Sequence, residues 1–469
     1  MPATRSPGRG NPAAAPGWKV LLTLICLALS LLIWFQGLLD SLRRPSVADA
    51  LSLRQLELSA LAAEVVEEPL RSSLFGEEPR AALTRELRRR QQAATSPPLP
   101  PAQQLELALL ERGRRPEASA GQLQRLEQRL EAPLRPLLQA LSRGERLDAE
   151  LQRTLLSPWR PTPMLSQLVC EQLSHGMAPC PAGSSGGRLL LQLAVVEVLP
   201  LPLLLLGVGL LLRQLWLLRQ RRLPVAPPLL GPPLSLLDVT LLIAGGFVLL
   251  GEVIVPPLLQ AWLPGLLTGL SVTGSLQQGL LVLLLYLGLM AAPLLILALM
   301  LSAVAPPPPA GGWLQWRWRP PLPALQRALA AVLMVLPAVA LCGWLIERLW
   351  PNPSGSNPLL DLVLTSSDPW ALLCFALTAT VLAPLFEETL FRGVLLPVLA
   401  QRWGARPAVL ASAAVFALAH LSLAEFGPLL VLGIGLGILR WRSGRLGASV
   451  LMHAIWNGFT LLNLLVLAN

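Results

Sequence analysis

The sequence predicts an all-α, polytopic membrane protein: about eight to nine transmembrane helices with a helical insertion outside the bilayer. Three observations predict it. The 469 residues are 53% hydrophobic and only 14% charged, and the mean hydropathy is +0.58, a composition expected of a chain that lies mostly in lipid. Apolar runs of spanning length recur, each near the 20 or so residues that cross a hydrocarbon core about 30 Å thick. Arginines cluster at alternate ends of those runs, as the positive-inside rule requires.

The first run, about Trp18–Leu39, follows Arg5, Arg9 and Lys19. It is too long for a signal-peptide core and no Ala-x-Ala site follows it, so it reads as a retained anchor. Residues 1–42 are thus expected to be a cytoplasmic tail and the first transmembrane helix. Residues 43–187 are polar and expected outside the cytoplasm. Leu123, Leu126, Leu130, Leu134, Leu137 and Leu141 mark an amphipathic helical stripe there, and the prolines at 97, 98, 100 and 101 divide the region. It reads either as a small helical cap or as a module that recognises a substrate or partner. Cys170 and Cys180 flank a short polar loop and are placed to pair if it faces an oxidising compartment.

Residues 188–347 carry the second to fifth runs: about Leu189–Leu212, Leu236–Leu259, Gln278–Val304 and Ala328–Ile346. Residues 348–469 carry the last four: about Trp370–Leu399, Pro407–Leu421, Gly427–Leu439 and Leu446–Leu467. With the N-terminus inside, the arginines at 213–222, 317–327, 402–406 and 440–445 all fall on the cytoplasmic side. Ala305–Gly312 and Pro351–Pro358 are proline-rich connectors. The net charge of +10 is explained by these loop arginines. No basic recognition helix or aromatic-basic strand points to a nucleic acid.

Chemistry concentrates near the C-terminus. Glu387, Glu388 and Arg392 lie within an apolar stretch, where each ionised group costs roughly 2.5–3.5 kcal/mol to insert. Neighbouring glutamates point about 100° apart on a helix, so they are expected to differ in role. Arg392 is four residues beyond Glu388 and suits an ion pair with it, which leaves Glu387 the freer base. Gly393 is expected to let another helix approach the arginine. His420 follows Phe416 by four residues, and Asn457 follows His453 by four. Each pair alone would read as polar glue between helices; together with the glutamates they look like a hydrolytic site. Gly183-x-Ser185-x-Gly187 formally fits a nucleophile elbow but has no strand before it. Gly433 and Gly437 read as close helix packing. Asp238, Glu197 and Glu252 are further carboxylates in apolar runs, with no assigned role.

Glu387-Glu388-x-x-x-Arg392, Phe416-x-x-x-His420 and His453-x-x-x-Asn457, in that order, resemble the signature of the CPBP family of intramembrane proteases. That family includes CAAX prenyl endopeptidases of the Rce1 type and bacterial Abi proteins. The resemblance covers about residues 370–467 and makes 348–469 the expected protease core. It implies an intramembrane endopeptidase in which Glu387 and His420 activate water, His453 and Asn457 hold the oxyanion, and Glu388 and Arg392 support them. It leaves two cofactor readings open. One is a divalent metal such as zinc on Glu387, His420 and His453; the other is a metal-free glutamate mechanism with the same residues. The implied partners are the lipid bilayer and a membrane protein or lipidated peptide as substrate, in a cell membrane or an internal membrane. The alternatives are a non-proteolytic scaffold or chaperone on the same fold and a proton-coupled transporter.

Overall fold

A computed structural model of the chain describes residues 16–468 except 45–46, 76–77, 93–98, 113–115, 130–134, 157–160, 175–179, 181–185, 305–306, 351–357 and 367. Among the described residues there are helices and no strands. The chain divides into two compact units: 1–45 with 206–359 and 366–459, and 46–205 with 360–365 and 460–469.

Among the described residues, eight helices are long and apolar enough to cross a membrane: Gly17–Ser41, Gly186–Arg219, Leu236–Gly269, Gly274–Ser302, Pro321–Leu349, Pro369–Trp403, Leu423–Ser443 and Leu446–Leu467. The expected run at 407–421 is the exception. It is a helix of 14 residues, Ala405–Leu418, about 21 Å long at 1.5 Å per residue and so below spanning length. Gly404, at φ 78°, separates it from the preceding helix in a conformation that only glycine adopts freely.

At one end of the first unit, arginines in and just after the last turn of the Leu423–Ser443 helix bond to carbonyls of other connectors. Arg440 and Arg442 donate to Leu230 O and Pro224 O at 2.8 and 2.9 Å. Arg445 donates to Arg319 O and Pro320 O, both at 3.3 Å. Lys19, at the start of the first helix, pairs with Asp238, whose carboxylate also closes a capping box with Ser235. At the other end, Arg44 donates to Leu421 O at 2.6 Å and Leu423 N to Ser41 Oγ at 3.3 Å. The short Ala405–Leu418 helix therefore still connects the two ends. Glu252 accepts from Trp34 Nε1 at 3.2 Å.

Among the described residues, three of these helices widen into π-turns at four places: Ala194–Val198, Leu242–Ile254, Thr378–Leu382 and Thr389–Leu395. A proline follows the end of each by two residues: Pro200, Pro256, Pro384 and Pro397. Proline has no N–H to donate and its ring crowds the carbonyl four residues back. A wider turn relieves that crowding, and such turns are frequent at functional sites. Two of the four flank Glu387 and Glu388.

The second unit is a bundle of short helices around Leu53, Leu83, Leu105, Leu137 and Leu165. The described members of the leucine stripe lie on the helices Pro116–Arg129 and Arg135–Arg143. Leu123, Leu126, Leu137 and Leu141 are buried; Leu130 and Leu134 lie outside the described residues, as do Gly183, Ser185 and most of the 351–358 connector. Cys170 and Cys180 are joined in a disulfide.

Among the described residues of this unit three carboxylates are buried, Glu57 at 3%, Glu106 at 1% and Glu111 at 4% exposed. Glu57 accepts from Arg54 at 2.9 Å, while Glu106 Oε1 has no hydrogen-bond partner among the described residues. Burial holds both above the ordinary value of 4.5, and the charge of Glu57 raises Glu106 further. Each carboxyl binds its proton more tightly folded than unfolded. Stability is therefore greatest below about pH 4.5 and falls as pH rises toward the folded values. Glu106→Gln is expected to raise the neutral-pH melting midpoint of this unit by about 2–4 °C and to flatten its pH dependence, as followed by thermal unfolding between pH 4 and 8. For the first unit, single cysteines at Arg222, Arg319, Arg402 and Arg445 are expected to react with an impermeant thiol reagent from one face of the membrane. Cysteines at Arg44 and Leu421 are expected to react from the other.

Candidate active site

The Pro369–Trp403 helix starts where Asp368 accepts from Trp370 N at 2.8 Å and Ala371 N at 3.3 Å, with Pro369 in the first turn. Glu387 lies about 27 Å along it, near its middle. Beside it, Glu388 and Arg392 are both fully buried, and Arg392 Nη1 donates to Glu388 Oε1 at 2.8 Å. The guanidinium is held by two further contacts. Its Nη2 donates to Gly433 O at 3.0 Å, and its Cζ lies 4.3 Å from the Phe416 ring centroid, a cation–π contact in a dry site. A Cβ on Gly433 would stand 3.0 Å from Ala413 Cβ and 3.2 Å from Arg392 Nη2. Gly433 is therefore the glycine that makes room for the arginine. Gly393, expected to let another helix approach the arginine, faces Leu446, at the start of the last helix, and Leu314.

His453 comes from the Leu446–Ala468 helix. Its Nδ1 is 3.1 Å from Glu388 Oε1, so Glu388 joins Arg392 to His453. The opposite ring nitrogen, Nε2, lies 3.9 Å from Glu387 Oε2. His420 is not within a helix but in the turn after Leu418. Its Nδ1 is 2.8 Å from Phe416 O, an end carbonyl with no intrahelical partner, and its Nε2 is 4.0 Å from Glu387 Oε2. The next residue, Leu421, has φ 49°, a left-handed conformation that costs a non-glycine residue about 1–2 kcal/mol. The first helix secures it. Arg44 holds Leu421 O, and Gly37 leaves space for the Leu421 side chain, which a Cβ would meet at 2.8 Å. Asn457 Nδ2 donates to Ala379 O at 2.8 Å, on the widened turn before the glutamates.

Glu387 is the carboxylate without an arginine partner. Its Oε2 is buried with no hydrogen-bond partner among the described residues. Its Oε1 accepts from Tyr286 Oη at 3.2 Å. Glu387 and His420 keep 16% and 21% of their side-chain surface, against 0% for Glu388 and 4% for His453. The open side of the site is thus the Glu387–His420 side. Glu387, Glu388, Arg392, His420 and His453 are linked to one another here, while the described contact of Asn457 is with Ala379 O, eight residues before Glu387. Tyr286 was missed. Its only signal is that it is the single tyrosine in the chain, in a run of leucines.

One carboxylate and two imidazoles are the right donors for zinc, but bonds of about 2.0–2.1 Å in a tetrahedron hold donors about 3.3 Å apart. The separations of 3.9 and 4.0 Å are wider. Among the described residues no group of three His, Cys, Asp or Glu is disposed to hold a metal ion. As placed, these residues do not fit the ion.

The profile of the type II CAAX prenyl endopeptidase Rce1-like family matches residues 369–459. Residues 369–459 are an Rce1-like domain. The Rce1-like domain contains Glu387, Glu388, Arg392, His420, His453 and Asn457, and it excludes Tyr286, Gly37 and Arg44. A second profile, a domain of unknown function, DUF8675, matches residues 48–191. No curated protein and no solved structure matches the chain.

Removing one partner of a buried ion pair costs about 3–5 kcal/mol because the other charge is stranded. Arg392→Met is accordingly expected to lower the melting temperature of the detergent-solubilised protein sharply. The double variant Glu388→Gln with Arg392→Met is expected to recover part of that loss, measured by thermal unfolding of the two variants side by side.

Proposed function

We propose that the protein is an intramembrane endopeptidase in which Glu387 is the general base. The observation that carries this is the convergence on Glu387 Oε2, which has no hydrogen-bond partner, of the Nε2 atoms of His420 and His453 at 4.0 and 3.9 Å. Two hydrogen bonds of about 2.8 Å meeting at one oxygen span about 4–4.5 Å, so the spacing suits a water molecule held between carboxylate and imidazole. The depth of Glu387 in its helix and the Rce1-like domain support a substrate bond cleaved within or at the bilayer.

In this reading Glu387 Oε2 takes a proton from water as the oxygen attacks the peptide carbonyl. His420 orients the water: its Nδ1–H is committed to Phe416 O, so its Nε2 lone pair faces the site. His453, paired through Nδ1 with Glu388, presents Nε2 to the developing oxyanion as an imidazolium donor. Asn457 Nδ2 carries two N–H bonds; Ala379 O takes one, and the other is the second candidate oxyanion donor. The proton on Glu387 then passes to the leaving amine. Glu388 and Arg392 hold His453 and the helix without contacting the substrate. The substrate is proposed to be a membrane protein or a lipidated peptide, the class that the Rce1-like domain suggests.

Glu387→Gln keeps the shape of the side chain but cannot accept the proton, so turnover is expected to fall by about 10² to 10⁴ with folding intact. Comparative proteomics of membranes carrying wild type or Glu387→Ala should reveal a protein that stays uncleaved only in the variant. Identical cleavage products in both would remove the proteolytic reading in favour of a scaffold.

A further inference from the structure

The Gly274–Ser302 helix lies outside the Rce1-like match, yet it supplies a side chain to the site. Tyr286 is the only tyrosine in 469 residues. A phenol among membrane leucines is costly unless its hydroxyl is bonded, and here the partner is Glu387 Oε1 at 3.2 Å. The ring is fixed as well. It meets Phe386 edge-on at 6.4 Å, and Phe386 packs on Phe247 at 5.6 Å.

The contact breaks the symmetry of the carboxylate. The last torsion of a glutamate is broad and roughly two-fold, so without a donor the two oxygens exchange freely and the base wanders. With Oε1 engaged, Oε2 is the oxygen left toward His420 and His453. The chemistry of the donor matters too. An arginine or lysine here would pair with Glu387 as Arg392 pairs with Glu388. A neutral hydroxyl orients the carboxylate without pairing off its charge.

We infer that Tyr286 is a positioning residue, which pins Glu387 Oε1 so that Oε2 faces the two histidines. Its consequence for turnover rests on the proteolytic reading above; the contact itself does not.

A single tyrosine makes the test direct. Protein labelled with ¹³Cζ-tyrosine and placed in lipid nanodiscs gives one resonance, from Tyr286. That resonance should shift in Glu387→Ala; an unmoved resonance would show that the hydroxyl does not hold Glu387 and would overturn the inference. The kinetic arm uses a peptide from the protein that accumulates in Glu387→Ala membranes. Tyr286→Phe keeps the ring and removes only the donor. Losing a hydrogen bond to a charged group should lower kcat about 10- to 100-fold, with KM within about twofold and the melting temperature unchanged. Wild-type kcat would overturn the inference, and so would a loss confined to KM or matched by a fall in melting temperature, which marks a packing role. Failure of the proteolytic reading looks different: Glu387→Ala membranes then accumulate nothing, and the positioning role falls with it even if the resonance shifts.

Discussion

The arrangement of the site depends on one buried ion pair. Glu388 and Arg392 are wholly removed from solvent, at a depth where a lone charge would be untenable. Each therefore depends on protein partners, and those partners define the site, although Glu388 Oε2 and Arg392 Nε have no hydrogen-bond partner among the described residues. Arg392 ties Gly433 O to the helix of the glutamates and lies over Phe416. Glu388 receives His453 from the last helix. A pair that looks like a local contact four residues apart thus sets the spacing of three other helices.

That constraint also explains why two adjacent glutamates differ. Glu388 is fully buried, with Arg392 and His453 on one oxygen and no hydrogen-bond partner among the described residues on the other. Glu387 points to the open side, where one oxygen meets a neutral hydroxyl and the other has no hydrogen-bond partner among the described residues. The division leaves Glu387 as the carboxylate on the open side, held by a hydroxyl and not by an arginine.

The residues that shape the site extend beyond the Rce1-like domain. Tyr286 comes from the Gly274–Ser302 helix, and Phe247 packs on Phe386 from the Leu236–Gly269 helix. Gly37 and Arg44 of the first helix and its margin brace the strained turn that carries His420. Prolines set the helix geometry on both sides of the glutamates, because Pro384 and Pro397 each follow a widened turn. The ring lacks a donor N–H and crowds the backbone behind it, and the wider turn accommodates both effects.

Much of this was legible in order along the chain. Apolar runs and alternating arginines determined the helical membrane class, because lipid admits few other solutions for a backbone that must bond itself. The i,i+4 spacings determined the Glu388–Arg392 pair, since helical geometry alone brings such residues together. Other features depended on contacts between segments far apart in sequence, which no local spacing encodes. The Ala405–Leu418 helix still joins the two ends of the first unit, although it is below spanning length. His420 sits in a turn rather than on a helix, because Leu421 takes a left-handed conformation held from the first helix. Gly433 makes room for the guanidinium, a matter of which helix crosses at that level. Tyr286 stands 101 residues from the glutamate it touches; only the packing of the Gly274–Ser302 helix against the Pro369–Trp403 helix brings the two together.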